Sequence, residues 1–371
     1  MVDERADGPI AETVEEPAAE AAEEEVEVSP ETMEAAKRLM VRRFKFIRDP
    51  DGALRRLARH GAGFVARDMT LSPERYGPPP EVPDADFTPL DPLDILRREH
   101  QLPALPQVFL ELREAIGARN TSASDLAAII SQDPSLTAFL LRMVNSAFYS
   151  LPVQIDTISR AVTVVGVNQL STLAVGTSIM SLFKDVPAEV IDVVQFWKHS
   201  VCCGLIARRL SRMTGRGDPE RAFVAGLLHD IGQLILLQAA PRRAAAVLAS
   251  ARSSDVLLCD REKELLGFDH ATLGGMLLRK WNFPFVLVAA VLEHHHPKEK
   301  QKEAEPALVH CAETIATGLG IGSSGEFFVQ PPAPAIWESM RLTPERMDEM
   351  IEDLDEELDE AFEVLIKVRA D

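Results

Sequence analysis

The sequence predicts an all-α protein, and two observations carry that prediction. Apolar residues recur with helical spacing through the middle of the chain, as in the segment 134–147. No run of alternating strands with hairpin turns occurs between residues 97 and 325. Helix starts are also marked: Asp-Pro pairs at 133–134 and 218–219 supply an N-cap and a first-turn proline, and Ser122 with Asp125 resembles a capping box.

Charge divides the chain into three parts. Of the net charge of -19, residues 1–32 contribute -11 and residues 344–371 contribute -9, so the middle is close to neutral. The first segment is rich in Glu, Ala and Pro, and we expect an acidic disordered tail. The near-neutral middle argues against nucleic acid as the partner of the folded core.

Residues 33–60 form a basic amphipathic segment in which nine Lys and Arg residues surround apolar ones. Such a segment is able to contact anionic lipid, nucleic acid or a phosphorylated partner, or to pack on the main domain as a helix with a solvated or acid-paired basic face. Prolines then predict a linker over 61–96, followed by a main domain over 97–325 and a Pro-containing connector over 326–343.

The acidic C-terminal segment 344–371 is predicted to be a helix with an apolar seam. The seam comprises Met347, Ile351, Leu354, Leu358, Ala361, Leu365 and Val368. Its four-and-three spacing is compatible with a homodimer through a short coiled coil, or with packing on the chain's own domain. Attraction between this acidic helix and the basic segment is a further hypothesis, one that salt would weaken.

Composition predicts a cytoplasmic protein. The four cysteines show neither zinc-knuckle nor disulfide-framework spacing, and the acidic amino terminus does not resemble a signal peptide. The longest clean apolar run, 285–292, has eight residues, well short of the roughly 20 needed to cross a bilayer. We therefore expect no membrane span.

A polar pair, His229-Asp230, interrupts an apolar stretch that we expect to be helical, and it is the strongest sign of a functional site. Burying an imidazole beside a carboxylate is costly unless a cation or a closed hydrogen-bond network satisfies both groups. Other candidate ligands are spaced along the same region, and a helical bundle can bring them together. The full candidate set is His199, His229, Asp230, His270, His294, His295 and Glu313. Imidazole and carboxylate ligands suit one or two divalent transition metals such as Fe, Mn or Zn.

The same residues resemble the HD phosphohydrolase superfamily, and within it the HDOD (HD-related output domain) family of bacterial signalling proteins. The resemblance extends over roughly residues 97–320. Its motifs include Leu-Pro-Ala-Leu-Pro at 102–106, Gln-Asp-Pro-Ser-Leu at 132–136, Trp-Lys-His-Ser at 197–200, Gly-Leu-Leu-His-Asp-Ile-Gly at 226–232 and His-His at 294–295. It implies an HD-like multi-helix bundle, with flanking helices added by this chain, and a metal site at the residues named above.

Departures from the catalytic relatives weaken the case for catalysis. The Asp-Gly-x-Gly-Tyr-Pro element of the related cyclic-di-GMP phosphodiesterases does not follow the histidine run, and Glu313 replaces the usual Asp. Gln195 stands where a phosphodiesterase can carry a Glu ligand, and Gln233 where active relatives commonly carry Lys. Gln195, Gln233, Trp197 and Trp281 are candidate pocket-lining residues, although core packing is the competing interpretation for both tryptophans.

Two functions follow from these observations. The first is a signal-transduction output or adaptor module, without catalysis, that binds a signalling protein partner or a small ligand and uses any metal for structure. The second is a metal-dependent phosphohydrolase acting on nucleotides or cyclic nucleotides, in which His199, His229, Asp230 and Glu313 would hold ions that activate water.

Overall fold

Every regular element that the structure describes is helical, which confirms the all-α prediction. The structure is a computed structural model that describes residues 26–48, 51–77, 81–97, 107–117, 122–146, 149–183, 186, 190–300, 302–352 and 354–365. The N-terminal helices are α1 (Pro30–Arg43), α2 (Gly52–Leu71), α3 (Pro92–Arg97), α4 (Gln107–Gly117), α5 (Ala123–Ile130), α6 (Pro134–Asn145), α7 (Ile158–Val165) and α8 (Val167–Met180). The central ones are α9 (Val193–Thr214), α10 (Pro219–Leu228), α11 (Ile231–Ala239), α12 (Pro241–Ser253), α13 (Leu258–Leu266), α14 (His270–Lys280), α15 (Phe285–Glu293) and α16 (Glu305–Leu319). The last three are α17 (Pro334–Met340), α18 (Pro344–Glu352) and α19 (Leu354–Leu365).

Helix α9 is the centre of the bundle. It packs along α10 and α16, while α14 packs between α11 and α15. Asp192 caps its first turn by accepting hydrogen bonds from the amides of Val194 and Gln195, and Gly215 ends it in the left-handed region at φ 66°. Most residues of α9 are buried, so neighbouring elements pack against it on nearly all sides. Any side chain that α9 contributes to a site is therefore held in a fixed position.

The predicted helix starts are confirmed. Ser122 and Asp125 form a capping box at α5, while Asp133 and Asp218 cap α6 and α10 through their side chains. Gly226 permits a close approach between α9 and α10, because a Cβ there would lie 2.7 Å from Cα of Gly204 on α9. The two glycines therefore determine how closely α9 and α10 cross.

The His-Asp pair lies at a break between two helices, not inside one as its apolar surroundings suggested. Helix α10 ends at Leu228 and α11 begins at Ile231, with Asp230 at φ -96° and ψ 9°. These dihedrals belong to the bridge region, where functional residues often lie. The break turns both polar side chains toward the same interior point.

The basic segment packs on the main domain, and part of its basic face is paired with an acid. Helix α1 packs on α2, and α2 packs on α16. Arg42 and Lys45 both bind Asp255, at 2.8 and 2.9 Å. These ion pairs connect the N-terminal segment to the end of α12.

Two predicted boundaries differ from the structure. Residues 61–71, expected to begin the linker, continue α2 because Val65 and Ala66 extend its buried face. The connector over 326–343 contains α17, whose Trp337 is buried and donates a hydrogen bond to Asp51 at 2.8 Å. Residues 81–91 of the expected linker have no regular secondary structure and lie between the short 3₁₀ turn Pro73–Tyr76 and α3.

The C-terminal segment folds back on the chain. It is helical over α18 and α19, with α18 packed on α2 and α19 on α9 and α6. The described seam residues are buried in this core: Met347, Ile351, Leu354, Leu358 and Ala361. Asp348 pairs with Arg56 at 3.3 Å and His60 at 2.7 Å, as the charge pattern suggested. A homodimer through this helix would need other contacts, since its described apolar side chains are already covered.

One apolar stretch, Pro219–Ala239, has the length and composition of a membrane span, but 89% of its most apolar window is buried within the protein. Burial of that extent is typical of a core helix. Several predictions fall outside the described residues: the acidic tail over 1–25, the Leu-Pro-Ala-Leu-Pro motif at 102–106 and the end of the C-terminal segment at 366–371.

Candidate metal centre

All seven candidate ligands meet at one interior point. His199 comes from the second turn of α9, Asp230 from the α10–α11 break and Glu313 from α16. His270 begins α14, while His294 and His295 follow α15. All seven residues are 7% exposed or less, so the centre is closed to bulk water.

The first group of ligands surrounds one oxygen of Asp230. Its Oδ2 lies 3.1 Å from Nε2 of His229 and 3.9 Å from Nε2 of His199. Glu313 closes the group, since its Oε2 lies 2.7 Å from Nε2 of His199 and 3.1 Å from Nε2 of His229. Two imidazoles and two carboxylates therefore converge here.

The second group surrounds the other oxygen of the same carboxylate. Oδ1 of Asp230 lies 3.0 Å from Nε2 of His270 and 3.6 Å from Nε2 of His294. Nε2 of His295 lies 2.9 Å from Nε2 of His270. Ligand atoms of His270, His294 and His295 lie within 4.8 Å of one another. Asp230 thus stands between two groups of ligands and contributes one oxygen to each.

The imidazoles are oriented by hydrogen bonds at Nδ1. His229 donates to the carbonyl of Gly226 at 2.6 Å, and His294 donates to the carbonyl of Val291 at 2.8 Å. His270 donates to Glu262 at 2.6 Å. A proton held at Nδ1 leaves Nε2 as the ligand atom, which is the usual arrangement around protein metal ions. Four of the five rings, including His295, present Nε2 to the centre in this way.

Charges within the centre are strongly coupled. Burial raises the pKa of Asp230, but His229 and His270 lower it more, so that it lies well below the usual value. The pKa of His229 lies well above its usual value because its pairing with Asp230 outweighs burial. Burial and the neighbouring histidines lower the pKa of His294 to about 3. The carboxylates are therefore ionised and His294 is neutral at neutral pH, and both states suit metal ligation.

The residues present fit a divalent transition metal. Nε2 of His294 is buried and has no hydrogen-bond partner among the described residues. A buried polar atom without a partner costs free energy that a bound cation would offset. Five imidazoles with two carboxylates form a borderline donor set suited to Zn, Fe or Mn.

The four candidate pocket residues separate into three environments. Gln195 faces away from the ligands and lines a cavity of about 460 Å³. Its amide oxygen, turned toward Arg75, accepts a hydrogen bond from that guanidinium group at 2.9 Å. Gln233 is buried, and its amide has no partner among the described residues. Trp197 and Trp281 lie in the main hydrophobic core, which fits the core-packing interpretation and corrects the pocket-lining one.

Sequence reasoning missed several residues that support the ligands. Glu262 accepts from both the ring and the backbone amide of His270, and Gln330 bonds the ring of His295 at 2.7 Å. Thr317 donates to Glu313 at 2.7 Å. The sequence contains a signal for Glu262. It is an acidic residue on the face of α13 that Leu258, Cys259 and Leu266 bury. Gln330 follows α16 in a coil, where no periodic pattern marks it.

Helices arranged around a buried cluster of histidines and carboxylates, with a His-Asp pair at its middle, define the protein as an HD-type helical domain. The model of the HDOD domain matches residues 102–297, more than half of the chain. The chain belongs to the HDOD family.

Known proteins resemble the chain beyond this match. A candidate phosphohydrolase from Shewanella amazonensis SB2B has a crystal structure with TM-score 0.59 and 26% identity, covering 73% of this chain and 97% of the other. A candidate signal transduction protein from Marinobacter aquaeolei VT8 gives TM-score 0.58 at 22% identity, covering 74% and 61%. An uncharacterised protein of Treponema pallidum (strain Nichols) is 26% identical over 215 residues; the match covers 58% of this chain but 41% of that relative.

Proposed function

We propose that the protein is an HDOD-type signal-transduction module that acts by binding a protein partner or a small ligand, and that its buried centre holds metal for structure and not for catalysis. One observation carries the proposal: every ligand residue is 7% exposed or less, although a catalytic metal must leave a position open to water and substrate. A closed centre of this kind fixes the helices that meet there.

The positions of the ligands agree with a structural role. They come from α9, α14 and α16, from the α10–α11 break and from the segment after α15. Cations that join these elements would stabilise the folded state against an unfolded chain in which the ligands are far apart. The partner-binding surface of such a module would then keep a fixed shape.

A second candidate function is a metal-dependent phosphohydrolase. The observation that favours it is the division of the Asp230 oxygens between two ligand groups, at 3.1 Å to His229 and 3.0 Å to His270. Paired metal sites of phosphatases and nucleases place two ions about 3.5–4 Å apart and use them to activate water. The Shewanella amazonensis protein described as a candidate phosphohydrolase points in the same direction.

One preparation separates the two functions. The full chain is purified without chelator, its metal content is measured by mass spectrometry, and nucleotides and cyclic dinucleotides are assayed with added manganese or iron. We expect stoichiometric metal, a melting temperature that falls after chelation, and no turnover. Turnover that His229→Ala abolishes would refute the structural role and establish the phosphohydrolase.

A further inference from the structure

A cavity of about 460 Å³ lies beside the metal centre, between the N-terminal helices and the HDOD domain. Its walls come from α1, the end of α2 and the 3₁₀ turn on one side, and from α9, α12 and the segment 320–327 on the other. Residues before 102 and after 297 lie outside the family match, so segments on both sides of the matched region contribute to the cavity wall. The volume falls within the range of about 300–1,000 Å³ that is typical of small-molecule sites.

Two arginines in the cavity wall lack a negatively charged partner. Arg43 is nine-tenths buried; it donates to the carbonyl of Thr317 at 3.1 Å, and its Nε has no partner. Arg252 is partly buried, and its Nε also has no partner. Neither forms an ion pair within the part of the chain that the structure describes. Both guanidinium groups lie over the ring of Phe327, at 5.4 and 4.9 Å from its centroid.

The positive charge of Arg252 disfavours the charged form of Arg43. Burial lowers the pKa of Arg43, and the charge of Arg252 lowers it further. Buried charges in proteins are normally paired, because an unpaired one loses its hydration without compensation. The neighbouring Arg42 follows that rule, since Asp255 binds it at 2.8 Å. Arg43 and Arg252 are the exceptions beside it.

The acids around the cavity are occupied elsewhere. Asp68 binds Arg75 at 2.8 Å and accepts from the Tyr76 hydroxyl at 2.7 Å, and Asp192 caps α9. Glu326 accepts from the amides of Leu258 and Phe328, and burial raises its pKa to about 8, so it is mostly protonated at neutral pH. Glu81 is exposed at the margin. None of these acids lies within ion-pair distance of the two free arginines.

We propose that this cavity is a binding site for a small phosphorylated organic molecule, with the phosphate between Arg43 and Arg252. Guanidinium groups bind phosphate oxygens through paired, charge-assisted hydrogen bonds. The remaining wall, which includes Leu39, Leu248 and Phe327, is apolar and suits the organic part of the ligand. A bare anion would leave that wall unused.

The site is separate from the candidate metal centre and does not depend on the function proposed for it. It is nevertheless adjacent: Gln195 lines the cavity one turn before His199, and Gly322, at φ 64°, packs against the backbone of His199. A ligand in the cavity would therefore contact the helix that carries a metal ligand, and would join the N-terminal segment to the family domain.

The test is calorimetric titration of the full-length protein in 0.15 M chloride, a salt level that screens weak surface attraction. The probes are AMP, GMP, ribose 5-phosphate, inorganic phosphate and adenosine. We expect saturable binding of at least one organic phosphate, at least tenfold weaker binding of inorganic phosphate, and no saturation with adenosine. EDTA is expected to leave the binding unchanged, which separates this site from anion binding by metal.

Variants locate the site. Arg252→Gln is expected to weaken binding at least tenfold, whereas Arg242→Gln removes an exposed charge from the same helix and is expected to have no effect. Ala245→Glu places a carboxylate at a partly exposed position in the cavity wall and is expected to abolish binding, even if Arg252→Gln does not fold. The inference is overturned if no organic phosphate saturates, if adenosine or inorganic phosphate binds as well, if EDTA abolishes binding, or if Ala245→Glu binds normally.

Discussion

Nε2 of His270 lies 2.9 Å from Nε2 of His295, although both rings already hold a proton at Nδ1 for Glu262 and Gln330. Two unprotonated nitrogens at this distance would repel each other, so a proton or a cation must lie on one of them. Burial lowers the pKa of His270, but Glu262 and Asp230 raise it well above its usual value. In the absence of metal, the proton is therefore on His270.

Metal uptake should release that proton. Because a cation and a proton compete for the same nitrogen, apparent metal affinity is expected to fall as the pH is lowered, with at least about one proton released per chain at pH 7. Zinc titrations in two buffers of different ionisation enthalpy measure this number directly. Identical heats in both buffers would show that His270 enters the reaction unprotonated.

Asp230 is expected to matter to both ligand groups, whereas Glu313 contacts one. Asp230→Asn removes the charge that lies near His229 and His270, so metal content should fall to nearly none. Glu313→Gln should leave the ion held near His270. The exposed neighbour His296 provides the control, since His296→Gln should retain full content. Equal loss in the two carboxylate variants would contradict the division into two groups.

Glu262 orients His270 without belonging to the ligand set. Substitution of such a supporting carboxylate typically lowers metal affinity by about 10- to 100-fold. Glu262→Gln should therefore bind zinc more weakly by that factor in competition with a chromophoric chelator. Glu264→Gln on the same helix changes an exposed side chain and should leave the affinity unaltered. An unchanged affinity in the first variant would mean that His270 needs no orienting partner.

The pH dependence of stability should include a contribution from Glu326. Burial raises the pKa of Glu326 to about 8, above the value of 4.5 for an unperturbed glutamate. Between these values the folded protein binds the extra proton, so the free energy of unfolding decreases as the pH rises through this range. Glu326→Gln removes the titration, and its melting temperature should decline less between pH 6 and pH 9. If the melting temperatures of the two proteins declined equally, the pKa of Glu326 would not be raised by burial.

Local signals in the sequence were sufficient to predict the helix starts and to select the side chains that meet at the buried centre. Asp133 and Asp218 each accept a hydrogen bond from the backbone amide three residues further along the chain, so the sequence signal is local. The histidines are rare enough to be recognised as a set. The break at Asp230 was missed because its apolar neighbours continue a helical pattern on both sides. The arginine pair was missed for a different reason: Arg43 and Arg252 meet only through tertiary packing, and no local pattern encodes their approach.

Gly226 connects the fold to the site, because it sets the distance between α9, which carries His199, and α10, which ends just before His229. A Cβ there would lie 2.7 Å from backbone atoms of Gly204, which cannot move aside as a flexible side chain would. Gly226→Ala should therefore lower the free energy of unfolding by about 1–3 kcal/mol, as overpacked cores do, and should weaken metal binding by separating the two histidines.

Gly63→Ala is the matched control in helix α2, where a Cβ has nothing within 4 Å. It should raise the free energy of unfolding by about 0.5–1 kcal/mol. Urea unfolding with and without zinc measures both effects. A Gly226→Ala protein of normal stability and metal affinity would show that α9 and α10 can separate without disturbing the centre.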